Sequence, residues 1–440
     1  MAGRWIASEL ERMVYAIAGL PIAIRGEAAA RSPQAAVIRR AFARRYWHPA
    51  SPLEALELGL GILAAPLAVP LAALWFTLRN GRMIYRRFGK RPSEQFIEQL
   101  RLYLSAGIVG PWYYILSLHR DGQRRAPTFL QRCETKRGVY ALLKDANARP
   151  IGDKRAFAQD CASAGLRCVK CELLVDDEPV DPDALPDADL FVKPVTGCGG
   201  NGAERWDKAG PRTWTNGRST FGAAQLLRHL QSRGARLVVQ RLVRAHPGLA
   251  DLTSGALPTV RALTILDEQG RPELVAAVFR MSMGSNRTVD NIHAGGLACA
   301  ISLSDGTLGI ASDLGSNSGL GWHERHPTTG ARIKGLKLPH WEEVKALAAK
   351  GHMAFRDRAV IGWDIAIDGE GPLIVEANRG PDMDLMQRFM DVGFCEHHRF
   401  GELIAYHLRA RGYGLTRPIS ARGELQGRAM PAAGADTAGP

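Results

Sequence analysis

Cysteine is scarce and poorly placed for cross-linking. Seven occur in 440 residues: Cys133, Cys161, Cys168, Cys171, Cys198, Cys299 and Cys395. An odd, sparse set in a large chain argues against a disulfide framework and for a reducing compartment. Cys168 and Cys171 form one CxxC. No second CxxC completes a zinc site, so packing is their expected role. No GK[ST] is present, which excludes a P-loop. No internal repeat is visible. Residues 1–20 carry Arg4, Glu9, Glu11 and Arg12 and so lack an uninterrupted apolar core; no signal peptide is expected there. Acidic residues are deficient in one place only. Residues 1–150 hold 23 Lys/Arg against 10 Asp/Glu, whereas the other 290 hold 34 of each, so the net charge of +13 sits in the N-terminal third. A nucleic-acid cradle running through the whole chain is thereby disfavoured, and a local basic surface is expected.

What is present is ample core. Apolar residues make up 46% and charged residues 23%, which excludes wholesale disorder, and the length allows about three domains. The 47 glycines predict many sharp turns and close backbone approaches. Trp5, Leu10, Met13, Val14 and Ile17 recur at helical spacing. Leu58–Leu78 is a run of 21 uncharged residues, about 31 Å as a helix, the thickness of a bilayer core. Trp75 stands near one end, as interfacial aromatics do. Pro66 and Pro70 predict a kink. Basic residues flank both sides, Arg39, Arg40, Arg44 and Arg45 before it and Arg79, Arg82, Arg86, Arg87, Lys90 and Arg91 after it. The positive-inside rule keeps both flanks in the cytoplasm, so a re-entrant membrane segment is expected rather than a span. The arginines stand beside an apolar run and not among exposed aromatics, so anionic lipid is favoured over nucleic acid as their partner. On this reading residues 1–92 form a membrane-associated region whose deletion releases a soluble protein.

Residues 93–150 read as helical, with Ser93 as N-cap and Phe96, Ile97, Leu100 and Leu104 on one face. Asp153 caps a helix over Lys154–Ala164 that stops at Gly165. Strands are expected at Leu190–Lys193, Leu237–Val243, Val260–Leu266, Leu274–Arg280, Ala298–Ser302, Ile361–Ile367 and Pro372–Glu376, several joined as antiparallel hairpins. That is an α+β pattern rather than a doubly wound parallel sheet. Residues 416–440, rich in Ala, Gly, Arg and Pro without apolar period, read as a disordered tail.

Two stretches carry chemistry. In the first, the strand Phe191-Val-Lys193-Pro is followed at once by Thr196-Gly197-Cys-Gly199-Gly200-Asn-Gly202. Backbone N–H groups of such a loop surround phosphate oxygens without side-chain interference, and Lys193 adds a point charge. Read as GxGxxG the loop lacks the following helix and the acid about 20 residues on, so a dinucleotide fold is not expected. The second is Gly362-Trp-Asp364-Ile-Ala-Ile, a turn, and Gly371-Pro-Leu-Ile-Val-Glu376-Ala-Asn378. On paired strands Asp364, Glu376 and Asn378 share one face, two carboxylates and an amide that suit a hard cation such as Mg²⁺.

In this order these residues resemble the ATP-grasp superfamily, and more closely its sugar-transfer-associated family, related to alpha-L-glutamate ligases. The likeness covers about residues 85–410 and also includes Asp153-Lys154, Val238–Val243, Thr259-Val-Arg261, Arg280, Asp290–Gly296 and His326–Gly330. It implies two α+β lobes, 151–245 and 246–415, closing over ATP behind the helical 93–150 region. Lys154 and Lys193 would meet its phosphates beneath Gly197, Gly199, Gly200 and Gly202, and Gln240 and the Leu242 backbone its adenine. Mg²⁺ or Mn²⁺ would sit on Asp364, Glu376 and Asn378. Arg261 and Arg280 would face the reacting phosphoryl group or acceptor, and Asn291 the substrate side. The family's acid after the hinge is missing, since Arg244, Ala245 and His246 stand there; Asp251 is a distant substitute for the ribose contact.

The implied activity is ligation of a carboxylate, through its acylphosphate, to an amine. Both substrates would be small or glycan-linked, used in cell-surface polysaccharide modification at the inner face of the cytoplasmic membrane. The alternatives are a phosphotransferase and a non-catalytic ATP-binding component of a glycan assembly.

Overall fold

The computed structural model describes residues 2–145, 147–197, 199–284, 288, 290, 292, 295–313, 321–396 and 398–413. Cys198, Asn291, the 416–440 tail and the side chains of Trp5 and Leu10 lie outside the described residues.

Four helices lead the chain: α1 (Ala2–Arg25), α2 (Pro33–Tyr46), α3 (Pro52–Phe88) and α4 (Pro92–Ala106). The starts of α2 and α3 are written in the sequence. Ser32 and Ser51 are N-caps whose hydroxyls accept from the backbone N–H of Ala35 and Glu54, each at 3.2 Å, and each precedes a proline in the first turn. Gly89, at φ +71°, ends α3 in the left-handed region.

The run Leu58–Leu78 lies wholly inside α3, 37 continuous residues and about 55 Å long. This corrects the re-entrant expectation: Pro66 and Pro70 do not break the helix. Pro66 is on its exposed side, where a carbonyl deprived of its donor can tilt outward. The buried face of α3 is narrow, made of Glu57, Gly61, Ala65, Val69, Ala73, Thr77, Asn80, Gly81 and Ile84. A Cβ on Gly61 would meet that of Ala16 at 2.5 Å, so a glycine there lets α1 approach. The opposite face exposes Leu53, Leu56, Leu60, Leu63, Leu67, Leu71, Leu74 and Leu78, with Trp75 among them. The helix is long and apolar enough to cross a membrane, and only 22% of its most apolar window is buried.

In α4, Ser93 is inside the first turn and Arg91 is the N-cap, its N–H bonded by Glu94 at 2.7 Å. The buried face also differs from the expected one, for Ile97 and Leu104 are exposed and Gln95, Gln99, Leu102, Tyr103 and Ala106 are covered. Hydrogen bonds explain the reversal. Gln99 donates to the Thr77 hydroxyl at 2.7 Å, and Gln95 to the carbonyls of Lys90 and Gly81 at 2.7 and 3.1 Å.

The chain is α+β, with two antiparallel sheets. The smaller is ordered β1 (Leu173–Val175), β6 (Leu237–Arg241), β2 (Leu190–Pro194), β3 (Glu204–Gly210), β4 (Thr213–Thr215) and β5 (Thr220–Gly222). The larger runs β11 (Trp322–His323), β10 (Leu308–Ser312), β9 (Leu297–Ile301), β8 (Pro272–Met281), β7 (Thr259–Leu266), β12 (Val360–Asp368) and β13 (Gly371–Asn378). One core includes Trp363, Ile365, Phe279, Phe157 and Trp341; the other includes Leu263, Ile265 and Val278 with the helix Arg399–Ala410. Ala35, Val37, Ile38 and Ala41 of α2 belong to that second core, beside Phe400, Leu403 and Leu408. Deleting residues 1–92 would therefore strip a wall from the larger lobe, which speaks against a detachable region.

Candidate active site

A single cavity of about 1270 Å³ runs between the sheets and on to the N-terminal helices. Strand β2 delivers Lys193 into it, opposite Val238 of β6, with 7% of the residue exposed. Burial lowers the Lys193 pKa below the ordinary lysine value; the nearby Glu376 charge opposes that and Lys154 reinforces it. The glycine loop follows. Gly197, Gly199, Gly200 and Gly202 all have positive φ, between +71° and +120°, a path that side chains resist. Lys154, first residue of the Asp153-capped helix, donates to the Gly197 carbonyl at 2.9 Å. Arg233 donates to that of Gly202 at 2.6 Å. The loop is thus pinned at both ends. Gly197, Gly199 and Gly200 line the cavity, whereas Gly202 anchors the loop against Pro194.

On the hinge side, Gln240 is buried opposite Phe191, and the Leu242 N–H donates to the Asp189 carbonyl at 2.8 Å. Gln240, Leu242 and Val243 line the cavity. Arg244 pairs with Asp189. Ala250 and Thr253 reach the wall, but Asp251, the distant ribose candidate, does not.

The larger sheet supplies the charged floor. Asp364 of β12 is in register with Arg261 of β7 on one side and Glu376 of β13 on the other. Its carboxylate accepts from Arg261, at 3.0 Å to Nη2, and stands 3.1 Å from Arg280 Nη2. Burial would raise its pKa, yet the two guanidiniums hold it well below the usual carboxylate range. Glu376 moves the other way. Burial and then the Asp364 charge raise it, and Lys193 only partly compensates. Arg280 also donates to the Thr259 hydroxyl at 2.6 Å and lies 3.3 Å from Asp290, a buried carboxylate that Thr259 also contacts. The amide Nδ2 of Asn378 is buried without a partner.

A hard cation suits this arrangement in part. A carboxyl with raised proton affinity lacks positive charge that a cation would supply, and the neighbouring Asn378 has Oδ1 to offer a cation while its unpartnered Nδ2 suits an acceptor such as a phosphate oxygen. Glu376 and Asn378 fit. Both oxygens of Asp364 already face arginines, so its share in a metal site requires Arg261 or Arg280 to let go. Among the described residues no group of three His, Cys, Asp or Glu side chains gathers as a metal site. The expected residues Lys154, Lys193, Gly197, Gly199, Gly200, Gln240, Leu242, Arg261, Arg280, Asp364, Glu376 and Asn378 all line the one cavity.

Sequence reasoning missed the far wall. Arg132 and Lys136 approach Asp382 at 3.5 and 2.8 Å, Lys136 donates to the Gly380 carbonyl at 2.5 Å, and Tyr140 to that of Pro381 at 2.8 Å. These bonds tie the turn after Asn378 to the helical region. The available signals were Gly380-Pro-Asp382 directly beyond the Glu-x-Asn strand, and cations within the apolar stretch 129–143.

The model of the sugar-transfer associated ATP-grasp family matches residues 144–397. No curated protein matches the chain. Among solved structures, D-cycloserine synthetase DcsG is 14% identical, with 58% of this chain and 70% of that one covered at a TM-score of 0.35. The D-alanine–D-alanine ligase of Bacillus anthracis complexed with ATP is 12% identical over 60% and 68%, also at 0.35. D-alanyl-alanine synthetase A of Vibrio cholerae is 11% identical over 59% and 65%, at 0.36.

Proposed function

The chain belongs to the sugar-transfer-associated ATP-grasp family, and from that premise we propose that it is a ligase that activates a carboxylate as an acylphosphate for attack by an amine. Membership makes it an ATP-grasp enzyme that works with ATP and Mg²⁺ or Mn²⁺. The observation that carries the reading is the meeting of a buried lysine, a pinned glycine loop, two arginines and a carboxylate pair in one cavity.

On this reading the lobes 151–245 and 246–415 close over the nucleotide. Lys193 and Lys154 neutralise its phosphates, the loop amides cover them, and Gln240 with the Leu242 backbone receives the adenine. Arg261 and Arg280, held by Asp364, Asp290 and Thr259, face the transferring phosphoryl group and the substrate carboxylate. Glu376 and Asn378, with Asp364 once released from an arginine, would hold Mg²⁺, which supplies further neutralisation of phosphate charge. Asn291 stays a proposed substrate-side residue. A carboxylate oxygen bonds to the γ-phosphorus as the bond to ADP breaks. The amine nitrogen then bonds to the acyl carbon, and phosphate leaves. Arginines and lysine supply charge and position throughout; no protein base is needed for an amine with a free lone pair.

The family's description mentions sugar transfer, and cell-surface polysaccharide decoration is the setting proposed. The exposed apolar face of α3 and its basic flanks support a place on the inner face of the cytoplasmic membrane, on the ATP side. The test is ATP and Mg²⁺ with a panel of sugar acids and hydroxylamine as the amine. Hydroxamate and phosphate should appear together. A phosphorylated acceptor without free phosphate would replace the ligase with a phosphotransferase, and failure to bind Mg²⁺–ATP would replace it with a non-catalytic component.

A further inference from the structure

Resting on that ligase reading, we propose that one substrate is the anionic head group of an amphiphile, taken directly from a membrane surface on which α3 lies flat. The cavity does not end at the reacting groups. It continues to Arg12 and Tyr15 of α1, to Arg132 and Arg137, and to Leu53 and Glu57 at the start of α3. At about 1270 Å³ it exceeds the roughly 300–1,000 Å³ of ordinary small-molecule pockets, so it has room beyond a nucleotide. Its outer wall carries both signs, Arg12, Arg132, Lys136 and Arg137 with Glu11, Glu54, Glu57 and Asp382. Arg12 and Arg137 both pair with Glu57, each at 2.9 Å, which ties α1 and the helical region to the start of α3 beside the cavity.

Leu53 joins the two features. It lines the cavity and is the first of the exposed leucines, which recur every three or four residues from there to Leu78. Such a row on a helix is covered by a second helix or by lipid. A coiled-coil seam is narrow and bordered by charged residues. Here no charged residue occurs from Leu58 to Leu78, and Pro66 and Trp75 are exposed beside the row. The face is too broad and too uniformly apolar for a seam, and it runs into exposed Arg82, Arg86 and Arg91, which match anionic head groups.

Nor does α3 cross the bilayer. Its inner face is hydrogen-bonded to α4, where Gln99 meets Thr77, and the exposed Arg101 follows one step deeper along the apolar run, so a span would carry that arginine into hydrocarbon. Lying in the interface, the helix places Leu53, and with it the cavity mouth, at the lipid surface. A chain-bearing substrate then keeps its tail in lipid while its head reaches Arg261 and Arg280.

The experiment uses the full-length protein with Mg²⁺–ATP and vesicles of phosphatidylglycerol and phosphatidylcholine. The vesicles carry a chloroform–methanol extract of the source membranes; a parallel reaction receives the aqueous extract. Phosphate release should rise at least tenfold with the organic extract. In Leu63→Glu/Leu67→Glu, two exposed residues away from the cavity wall, that rise and vesicle co-sedimentation should be lost while Mg²⁺–ATP affinity is unchanged. Release driven by the aqueous extract alone, equal in wild type and variant, would overturn the amphiphile and leave the ligase standing. A dimer without vesicle binding that the double variant turns into monomer would also overturn it, assigning the leucines to a second copy. Release with neither extract, Mg²⁺–ATP still binding, would sink the ligase reading and this inference with it.

Discussion

The N-terminal helices and the larger sheet each set a glutamate in the wall of the same cavity, and they treat it in opposite ways. Glu57 of α3, 8% exposed, has one oxygen on Arg12 and the other on Arg137. Glu376 of β13 has Lys193 and the carboxylate of Asp364 near it, and its proton affinity is raised. A carboxylate matched by its own chain holds helices together. One left short of positive charge, next to an amide without a partner, is arranged for something that arrives later. The comparison makes opposite predictions for the same substitution.

The largest effect is expected from Glu376→Gln. Turnover should fall about 100-fold or more, the scale seen when charge stabilisation at a reacting group is removed. Stability should not fall. The folded pKa of Glu376 lies above its ordinary 4.5, so the native state binds the proton more tightly than the unfolded one. Ionisation then costs stability as pH rises from that ordinary value through the raised one. Glutamine is neutral throughout, so nucleotide-free Glu376→Gln should melt at or above wild type near neutral pH and lose the decline across that window. Phosphate release and melting curves from about pH 4.5 to 7.5 check both. Undiminished turnover, or a clear drop in Tm, breaks the contrast.

How much of this was legible follows from where the signals sat. Seven strands could be read because β-branched and apolar residues fill them between turn residues, and Asp364, Glu376 and Asn378 share a face because strand period is two. The expected lysine and glycines of the loop stood in one short stretch. Strands β1, β4, β5 and β11, with two or three residues each, were too short for a periodic signal, and β3 and β10 were hidden because charged residues fill the first and a glycine interrupts the second. The face of α4 was misread because its buried side is built from glutamines with specific partners, which hydropathy scores as exposed. Prolines suggested a break in α3 that the helix tolerates on its outer side. The far wall left separate signals at its two ends but nothing to pair them. Lys136 and Asp382 are 246 positions apart, and only the fold brings them to 2.8 Å.

Second in size is Glu57→Gln, with the opposite sign on stability. One oxygen loses its charge and two guanidiniums lose their counterion. The cost should reach about 2–3 kcal/mol, somewhat under the roughly 3–5 kcal/mol for breaking a fully buried pair, because Arg12 stays 43% exposed. Chemical denaturation measures it. A loss below about 0.5 kcal/mol, as for an exposed pair, would erase the distinction between the two glutamates.

Lys193→Met sharpens the sheet side. Methionine fills the space without charge, so Mg²⁺–ATP affinity should drop about tenfold to a hundredfold, the worth of one charged hydrogen bond. The nucleotide-free protein should be no less stable, because burial already disfavours the ammonium, whose pKa is lowered. Titration calorimetry beside a melting curve separates the two; retained affinity would move the nucleotide elsewhere.

The smallest effect tests the loop that joins the halves of the site. Gly202 has φ +73°, and a Cβ there would meet Pro194 at 3.2 Å and Arg233 at 3.1 Å. The arginine end can swing away, but Pro194 belongs to β2 and follows Lys193 directly. Gly202→Ala should therefore cost about 1 kcal/mol in backbone strain and displace the strand end that aims Lys193, weakening Mg²⁺–ATP binding several-fold with little change in Tm. Gly152 provides the control. It has no left-handed φ and nothing within 4 Å of a Cβ, although it too stands close to a phosphate-side lysine, Lys154. Gly152→Ala should bind nucleotide as wild type does. Equal losses in both variants would mean that glycine content near the lysines matters only generally; a loss confined to Gly202→Ala ties nucleotide affinity to the pinned end of this loop.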